Sequence, residues 1–363
     1  MKLLVSCIPY DGGKSGISVY VREVVRELAM QGHELTLLVE PGEKGDVVAP
    51  RWTRRPVLSM LWHLLFLPFW IWLRRRDFDG FVICAANRRV CAWYPLPTAA
   101  TVHDLANFHI PGKYSRMRMF YLAHVLPFFA KRAMHLVAVS ESTKADMVRF
   151  WHCRPDDVTV LYNGLVARDS ESVRDSGTPQ ATNHEPRTTI LYISRIEHPG
   201  KNHVRLIEAY GRLPRELARA HPLVIAGSDW KDADVVHAAA AASPNSEFIR
   251  FTGFVSDLEA LWSETGFYVF PSLFEGFGLS LVEAMSRGVP CACSNNGSLG
   301  EIAADVAMTF DPLDVDDIAA TLERLLSESA ARRADRIARG LEHVKKFSWR
   351  DHAAGLADLL SRK

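Results

Sequence analysis

In the stretch "SLFEGFGLSLVEAM" (272–285), Glu275 and Glu283 flank a Gly-Phe-Gly turn. Gly276 and Gly278 let a ligand come close to the main chain. A helix starting near Gly278 would offer backbone N–H groups and a positive dipole end, which suit phosphate. Glu275 lies ahead of that helix and Glu283 about one turn inside it, so the two carboxylates can stand on either side of one phosphate ester. A carboxylate is a poor phosphate ligand but a good acceptor for sugar hydroxyls. A plain surface loop before an ordinary helix leaves the coincidence of glycines, helix start and both acids unexplained.

Three further stretches carry candidate groups. "ISRIEHPGKNH" (193–203) places Arg195 and Lys201 on a loop after a strand and before a helix. Two cations there suit a diphosphate, although taken alone they are as readily solvated surface charges. "DGGKSGIS" (11–18) reads as a flexible glycine loop. It is neither Gly-x-Gly-x-x-Gly nor a Walker sequence, because the four residues between two glycines are missing. "TVHDL" (101–105) sets His103 and Asp104 after an apolar run, where a lone histidine is as readily structural as catalytic.

These loops need elements to hold them. Apolar runs at 2–8, 33–40, 78–85, 98–104, 136–141 and 158–164 read as strands, with a helix between the glycine loop and Gly32. A second series of strands is expected at 188–194, 222–228, 248–254, 267–272, 290–295 and 307–312. Helices are expected at 202–213, 256–265, 279–288, 314–328, 330–346 and 348–360. The alternation predicts an α/β chain of two Rossmann-like, doubly wound domains, 1–165 and 188–347. The polar segment 166–187 reads as their linker, and the C-terminal helix within 348–363 is expected to pack back on the first domain. Ligands of such sheets sit beyond the carboxyl ends of the strands, so the cleft between two facing domains is the expected site.

The length of 363 residues fits two domains. Lys+Arg is 43 against Asp+Glu 42, which leaves no net field for nucleic acid, and none is expected as a partner. The 6 cysteines form no Cys-x-x-Cys pair and read as free, buried thiols of a reducing compartment. The histidines show no ligand spacing, so neither a metal nor a cofactor is expected. "DADVV" (232–236) is the nearest approach to Asp-x-Asp and falls at a loop or helix start. "MKLLVSCIPYDGG" lacks a small-residue cleavage site and reads as a buried strand rather than a signal peptide.

The ordered set of stretches resembles glycosyltransferase family 4, the retaining, nucleotide-sugar-dependent transferases with the GT-B fold. "SGISVYVREVVREL" resembles the acceptor loop and first helix, and "TVHDL" the histidine strand. "AVSESTKADMV" and "VLYNGL" resemble the run into the domain hinge, and "LYISRIEHPGKN" the diphosphate loop. "FPSLFEGFGLSLVEAMSRGVP" matches the Glu-x7-Glu signature. The resemblance implies that Glu275 contacts the donor sugar's hydroxyls and that the backbone of Phe277, Gly278 and Leu279 holds sugar and phosphate. It implies that Glu283 accepts from the ribose, that Arg195 and Lys201 neutralise the diphosphate, and that His103 meets the sugar near the reacting carbon. Gly16 and its neighbours would move with donor binding.

The implied activity is transfer of a hexose, with retention and without a metal, from a GDP- or UDP-sugar, GDP-mannose among them. The implied acceptor is a saccharide, lipid-linked, in bacterial surface polysaccharide or glycolipid assembly. The implied location is the cytoplasm, peripheral on the cytoplasmic face of the inner membrane. The competing readings are a GT-B sugar-nucleotide epimerase or hydrolase, and a sugar-binding protein without catalysis.

One stretch falls outside that pattern. "RRPVLSMLWHLLFLPFWIWLRRR" (54–76) is apolar from Val57 to Leu73, with arginines at both ends and Trp62, Trp70 and Trp72 within it. As a helix it would be roughly 25 Å long, short of a ~30 Å hydrocarbon core, and Pro68 would kink it. It is expected to lie at a membrane surface, where Trp and Arg suit the headgroup region. A buried core helix is the alternative.

Overall fold

The structure is a computed structural model that describes residues 1–13, 15–110, 112, 114–165 and 187–362. It divides into two compact units, Met1–Gly164 with Phe347–Lys363, and Leu165–Lys346. The expected linker 166–187 lies, apart from Arg187, outside the described residues.

The first unit is built on β1 (Lys2–Ser6), β2 (Glu34–Val39), β3 (Val47–Val48), β4 (Gly80–Ile83), β5 (Thr98–Val102), β6 (His135–Ala138) and β7 (Val158–Val160). All pairs are parallel, in the order β3-β2-β1-β4-β5-β6-β7. Helices cover both faces, which is why Leu3, Leu4 and Val5 are all fully buried and β1 reads as a continuous apolar run. Helices Gly16–Met30 and Trp349–Ser361 pack on one another and the latter on β4 and β5. Leu360 reaches Gly80 beside Leu3. On the other face Leu4, Leu38, Phe81 and Ala100 form a core with Leu67 and Ile71, and with Leu126 and Ala130. Those last pairs come from two helices, Pro56–Leu73 and 116–130.

Several boundaries differ from expectation for local reasons. β6 stops at Ala138 because Ser140 caps a helix, Glu141–Trp151, its hydroxyl accepting from Thr143 N at 3.0 Å. Pro68 follows a wide turn of the helix. Trp62–Phe66 is a π-helical turn in which Leu67 N–H donates to Trp62 O. Pro68 cannot donate to Leu64 O, which instead accepts from Ala92 N at 2.8 Å. The helix 116–130 repeats the device, with a π turn at Tyr121–Val125 before Leu126 and Pro127.

The second unit is a six-stranded parallel sheet of β8 (Thr189–Ile193), β9 (Leu223–Ala226), β10 (Ile249–Gly253), β11 (Thr265–Phe270), β12 (Cys291–Ser294) and β13 (Met308–Phe310). Its order is β10-β9-β8-β11-β12-β13. The chain winds outward one way from β8 and the other way from β11, so the topological switch point lies between these two strands. The loops leaving their carboxyl ends are 194–202 and 271–278, the segments that hold Arg195, Lys201 and Glu275.

Candidate functional site

The two loops at the switch point are tied to each other. Leu273 N donates to Gly200 O at 3.0 Å, and Asn202 Nδ2 donates to Pro271 O at 3.0 Å and Pro312 O at 2.7 Å. Tyr192 OH, at the end of β8, donates to Lys201 O at 2.9 Å. On the far side Asn296 Nδ2 donates to Leu273 O at 2.7 Å, and Ser298 Oγ to Glu275 O at 2.9 Å. Both backbones are therefore fixed by buried and part-buried hydrogen bonds, which pre-set the side chains they carry.

Lys201 Nζ lies 2.6 Å from Glu275 Oε1, with both side chains about four-fifths buried. Arg195 is more open. Its guanidinium stacks over the Trp230 ring, 5.3 Å from the centroid, and sits 3.3 Å from Glu197 Oε2. The structure thus joins Lys201 to Glu275 and gives Arg195 other partners.

The helix Leu279–Ser286 begins at Gly278, which has φ 100° and offers no side chain to cap it. At φ 100° any residue but glycine would be strained, and a Cβ at Gly278 would also push Leu299 Cδ2, 2.7 Å away, aside. Phe277 is buried beside it and Leu279 is the first helical residue. Glu283, one turn in, accepts from Arg287 Nη2 at 3.0 Å. Arg287 in turn grips Glu259 with two bonds of 2.8 and 2.6 Å. The arrangement offers an uncapped helix start, a cation and two carboxylates, the equipment for an anionic, polyhydroxylated ligand.

The remaining candidates belong to the first unit. His103 follows β5 and is buried. Its Nε2 lies 2.6 Å from Cys84 O, and because a carbonyl only accepts, Nε2 carries the hydrogen and Nδ1 the lone pair. Burial holds its pKa down at about 4, partly offset by the Cys84 carbonyl and Asp104. The Tyr20 ring and the imidazole meet edge to face, their centroids 4.6 Å apart. Tyr20 OH lies 2.9 Å from Thr101 Oγ1 and 2.8 Å from His352 Nε2, and His352 Nδ1 reaches Tyr162 O at 3.0 Å. Gly16 is the first residue of its helix, just after Ser15, which forms a reciprocal capping pair with Ser18. Asp-x-Asp at 232–234 stands at the start of helix Ala233–Ala242. Among the described residues no three His, Cys, Asp or Glu side chains gather as a metal set.

Arg287, Trp230, Glu197, Asn202, Tyr20 and His352 support the candidate residues and were not singled out from the sequence. Only Arg287 leaves a signal there, as the (i, i+4) partner of Glu283.

A family profile described as "Glycosyltransferase Family 4" matches residues 14–167, and one described as "Glycosyl transferases group 1" matches 176–342. The chain is similar to O-antigen chain mannosyltransferase B of Escherichia coli, 29% identical over 380 residues and covering 96% of each chain. Its fold is that of sucrose-phosphate synthase from Thermosynechococcus elongatus, with a TM-score of 0.74 at 16% identity over 99% of this chain and 98% of that one. It is also that of WaaG, a glycosyltransferase involved in lipopolysaccharide biosynthesis, with a TM-score of 0.71 at 16% identity over 100% of both chains.

Proposed function

We propose that this chain, which belongs to the family 4 glycosyltransferases of GT-B fold, transfers a mannosyl residue from GDP-mannose to a growing saccharide with retention at the anomeric carbon. The observation that carries this reading is the site at the β8/β11 switch point, where Lys201, Glu275 and the uncapped start of helix Leu279–Ser286 meet. The similarity to an O-antigen mannosyltransferase along 96% of the chain supports the choice of sugar and a polysaccharide acceptor.

In this reading Lys201 and Arg195 face the diphosphate with the backbone of Phe277, Gly278 and Leu279. Glu275 accepts from the sugar's hydroxyls and Glu283 from the ribose. The acceptor hydroxyl attacks the anomeric carbon on the leaving-group face. The bond from that carbon to the phosphate oxygen breaks, its electron pair stays on the diphosphate, and the same diphosphate takes the acceptor's proton. The cations stabilise the charge that develops there without a metal. His103 Nδ1, unprotonated at neutral pH, accepts from a hydroxyl of the sugar. The second unit thereby holds the donor and the first unit the acceptor, with Gly16 moving as the donor binds.

The acceptor is lipid-linked, and the enzyme works in the cytoplasm at the inner face of the membrane. Six buried, unpaired cysteines support a reducing compartment. The test is nucleotide release from GDP-mannose and UDP-sugars with and without a mannan oligosaccharide, and NMR of the product's anomeric configuration. Acceptor-stimulated GDP release with an α-linked product is expected. Release that no acceptor accelerates would mark a hydrolase instead.

A further inference from the structure

Helix Pro56–Leu73 is the one helix among the described residues long and apolar enough to cross a bilayer by length and composition. Its packing assigns it another role. Ser59, His63, Leu67 and Ile71 recur every fourth residue and are buried. His63 Nε2 lies 2.9 Å from Ser6 Oγ in β1, and Leu67 and Ile71 belong to the core of the first unit. This stripe anchors the helix to the sheet. A second stripe, Val57, Leu61, Leu65, Phe69 and Leu73, also recurs every fourth residue and faces out, with Val57 63% and Phe69 54% exposed. The helix is apolar on both sides and partnered on one.

Helix 116–130 has the same construction. Leu126 and Ala130 enter the same core, while Met117, Phe120 and Phe128 are exposed, Phe120 at 62%. Each helix has a π turn followed by Leu-Pro-Phe, and in each the Phe after the proline points outward. The two are neighbours through the segment 89–94. Arg89 Nε donates to Ser59 Oγ at 3.2 Å and Ala92 N to Leu64 O, while Tyr94 OH donates to Phe129 O at 3.2 Å. Trp93, between these anchors, is exposed. The exposed stripes and Trp93 thus lie on adjoining segments of the first unit, and exposed apolar side chains gathered in this way mark a partner surface.

Charge selects the partner. Residues 51–76 and 114–134 contain no Asp or Glu, although acids nearly equal bases in the chain as a whole. Arg54, Arg55, Arg74, Arg75 and Arg76 bound the first helix, and Arg116, Arg118 and Arg132 the second. Four of the guanidiniums stack on aromatic rings: Arg74 on Trp70 at 5.0 Å, Arg75 on Trp72 at 5.2 Å, Arg118 on Tyr114 at 3.9 Å and Arg132 on Phe128 at 3.7 Å. Aromatic rings with arginines at their edges suit the depth where acyl chains meet headgroups. We infer that the two helices together form a platform on which the first unit sits on an anionic lipid bilayer, the outward stripes entering the acyl boundary and the arginines meeting lipid phosphates. The inference deepens the proposed function, since it supplies the surface on which a lipid-linked acceptor is met.

The test is co-sedimentation of the full chain with vesicles of phosphatidylcholine alone or with phosphatidylglycerol added. Wild type is compared with three variants: Phe66→Ser with Phe69→Ser, Phe120→Ser with Phe128→Ser, and Arg74, Arg75 and Arg76 all changed to Glu. All seven positions are exposed, so folding should survive, and circular dichroism checks it. Wild type should partition onto anionic vesicles at least about tenfold more than onto neutral ones, and 0.5 M salt should weaken this. Each variant should lose about tenfold or more, including the one confined to residues 120 and 128. Equal binding by all four proteins overturns the inference, and a defect limited to the first helix overturns the two-helix platform. A dimer in gel filtration that the same substitutions dissolve, with no vesicle binding, would assign the surface to a second copy and also overturns it. GDP binding is measured alongside by thermal shift. Vesicle binding without any GDP shift would defeat the proposed transfer and leave the platform standing.

Discussion

Lys201 and Glu275 hold each other at 2.6 Å across the two loops of the switch point. The cation proposed for the diphosphate and the carboxylate proposed for the sugar are thus one unit before a donor arrives. Lys201→Ala should lower kcat by about two to three orders of magnitude, the scale for losing one charge-stabilising donor, and Arg195→Ala by a similar factor. Because Lys201→Ala also strips Glu275 of its partner, the double variant with Glu275→Ala should cost less than the product of the single effects. Steady-state rates of the wild type, the three single variants and the double variant check this. Near-normal rates for both cation variants would remove the diphosphate assignment.

Glu283 is held by Arg287, which is itself clamped to Glu259. Glu283→Ala should raise the donor KM more than it lowers kcat, since the proposed ribose contact lies away from the bond that breaks. Arg287→Ala should move KM in the same direction by freeing the Glu283 carboxylate to rotate. A turnover defect at unchanged GDP affinity would count against the ribose role.

Gly278 combines a left-handed φ of 100° with a Cβ position 2.7 Å from Leu299 Cδ2. Gly278→Ala should cost about 1–3 kcal/mol of stability and abolish the GDP-induced rise in Tm. A thermal-shift titration reads both. An unchanged GDP response would show that the helix start does not touch the nucleotide.

Four buried histidines set an acid limit. Burial lowers His63 to about 3 and His103, His203 and His352 to about 4. Unfolded, each titrates near pH 6.5 and takes up a proton that the folded chain refuses, so their contribution is complete above that pH and is lost as pH falls toward 4. At pH 5 each should subtract about 2 kcal/mol. Calorimetry should show Tm falling steeply between pH 6.5 and 5, and a flat profile there would contradict the burial of these rings.

Much of this was legible in the chain because parallel strands covered on both faces leave unbroken apolar runs, as in "KLLVS", and because glycines and acids lie close together at 275–283. The strand positions and the helix at Gly278 follow from such local patterns. Pairs formed across long separations leave no local mark. Lys201 and Glu275 are 74 residues apart, and Tyr20 and His352 are 332 apart. The helix 116–130 went unread because Pro127 and a π turn interrupt the 3.6-residue period, and its exposed Met117, Phe120 and Phe128 blur the polar face that marks an ordinary surface helix.

The first unit is completed by residues far along the chain, and this orders its birth on the ribosome. Gly164 follows β7, and its α-carbon faces Trp349 so closely that a methyl there would stand 2.0 Å from the Trp349 nitrogen. Helix Trp349–Ser361 then covers Tyr20 and Gly80. Until that helix has been translated, a sheet already synthesised keeps part of one flank uncovered beside helix Gly16–Met30, and the nascent chain must wait through the making of a whole second unit to close it. Release of a truncated chain lacking residues 349–361 should therefore yield not a smaller enzyme but a client for chaperones.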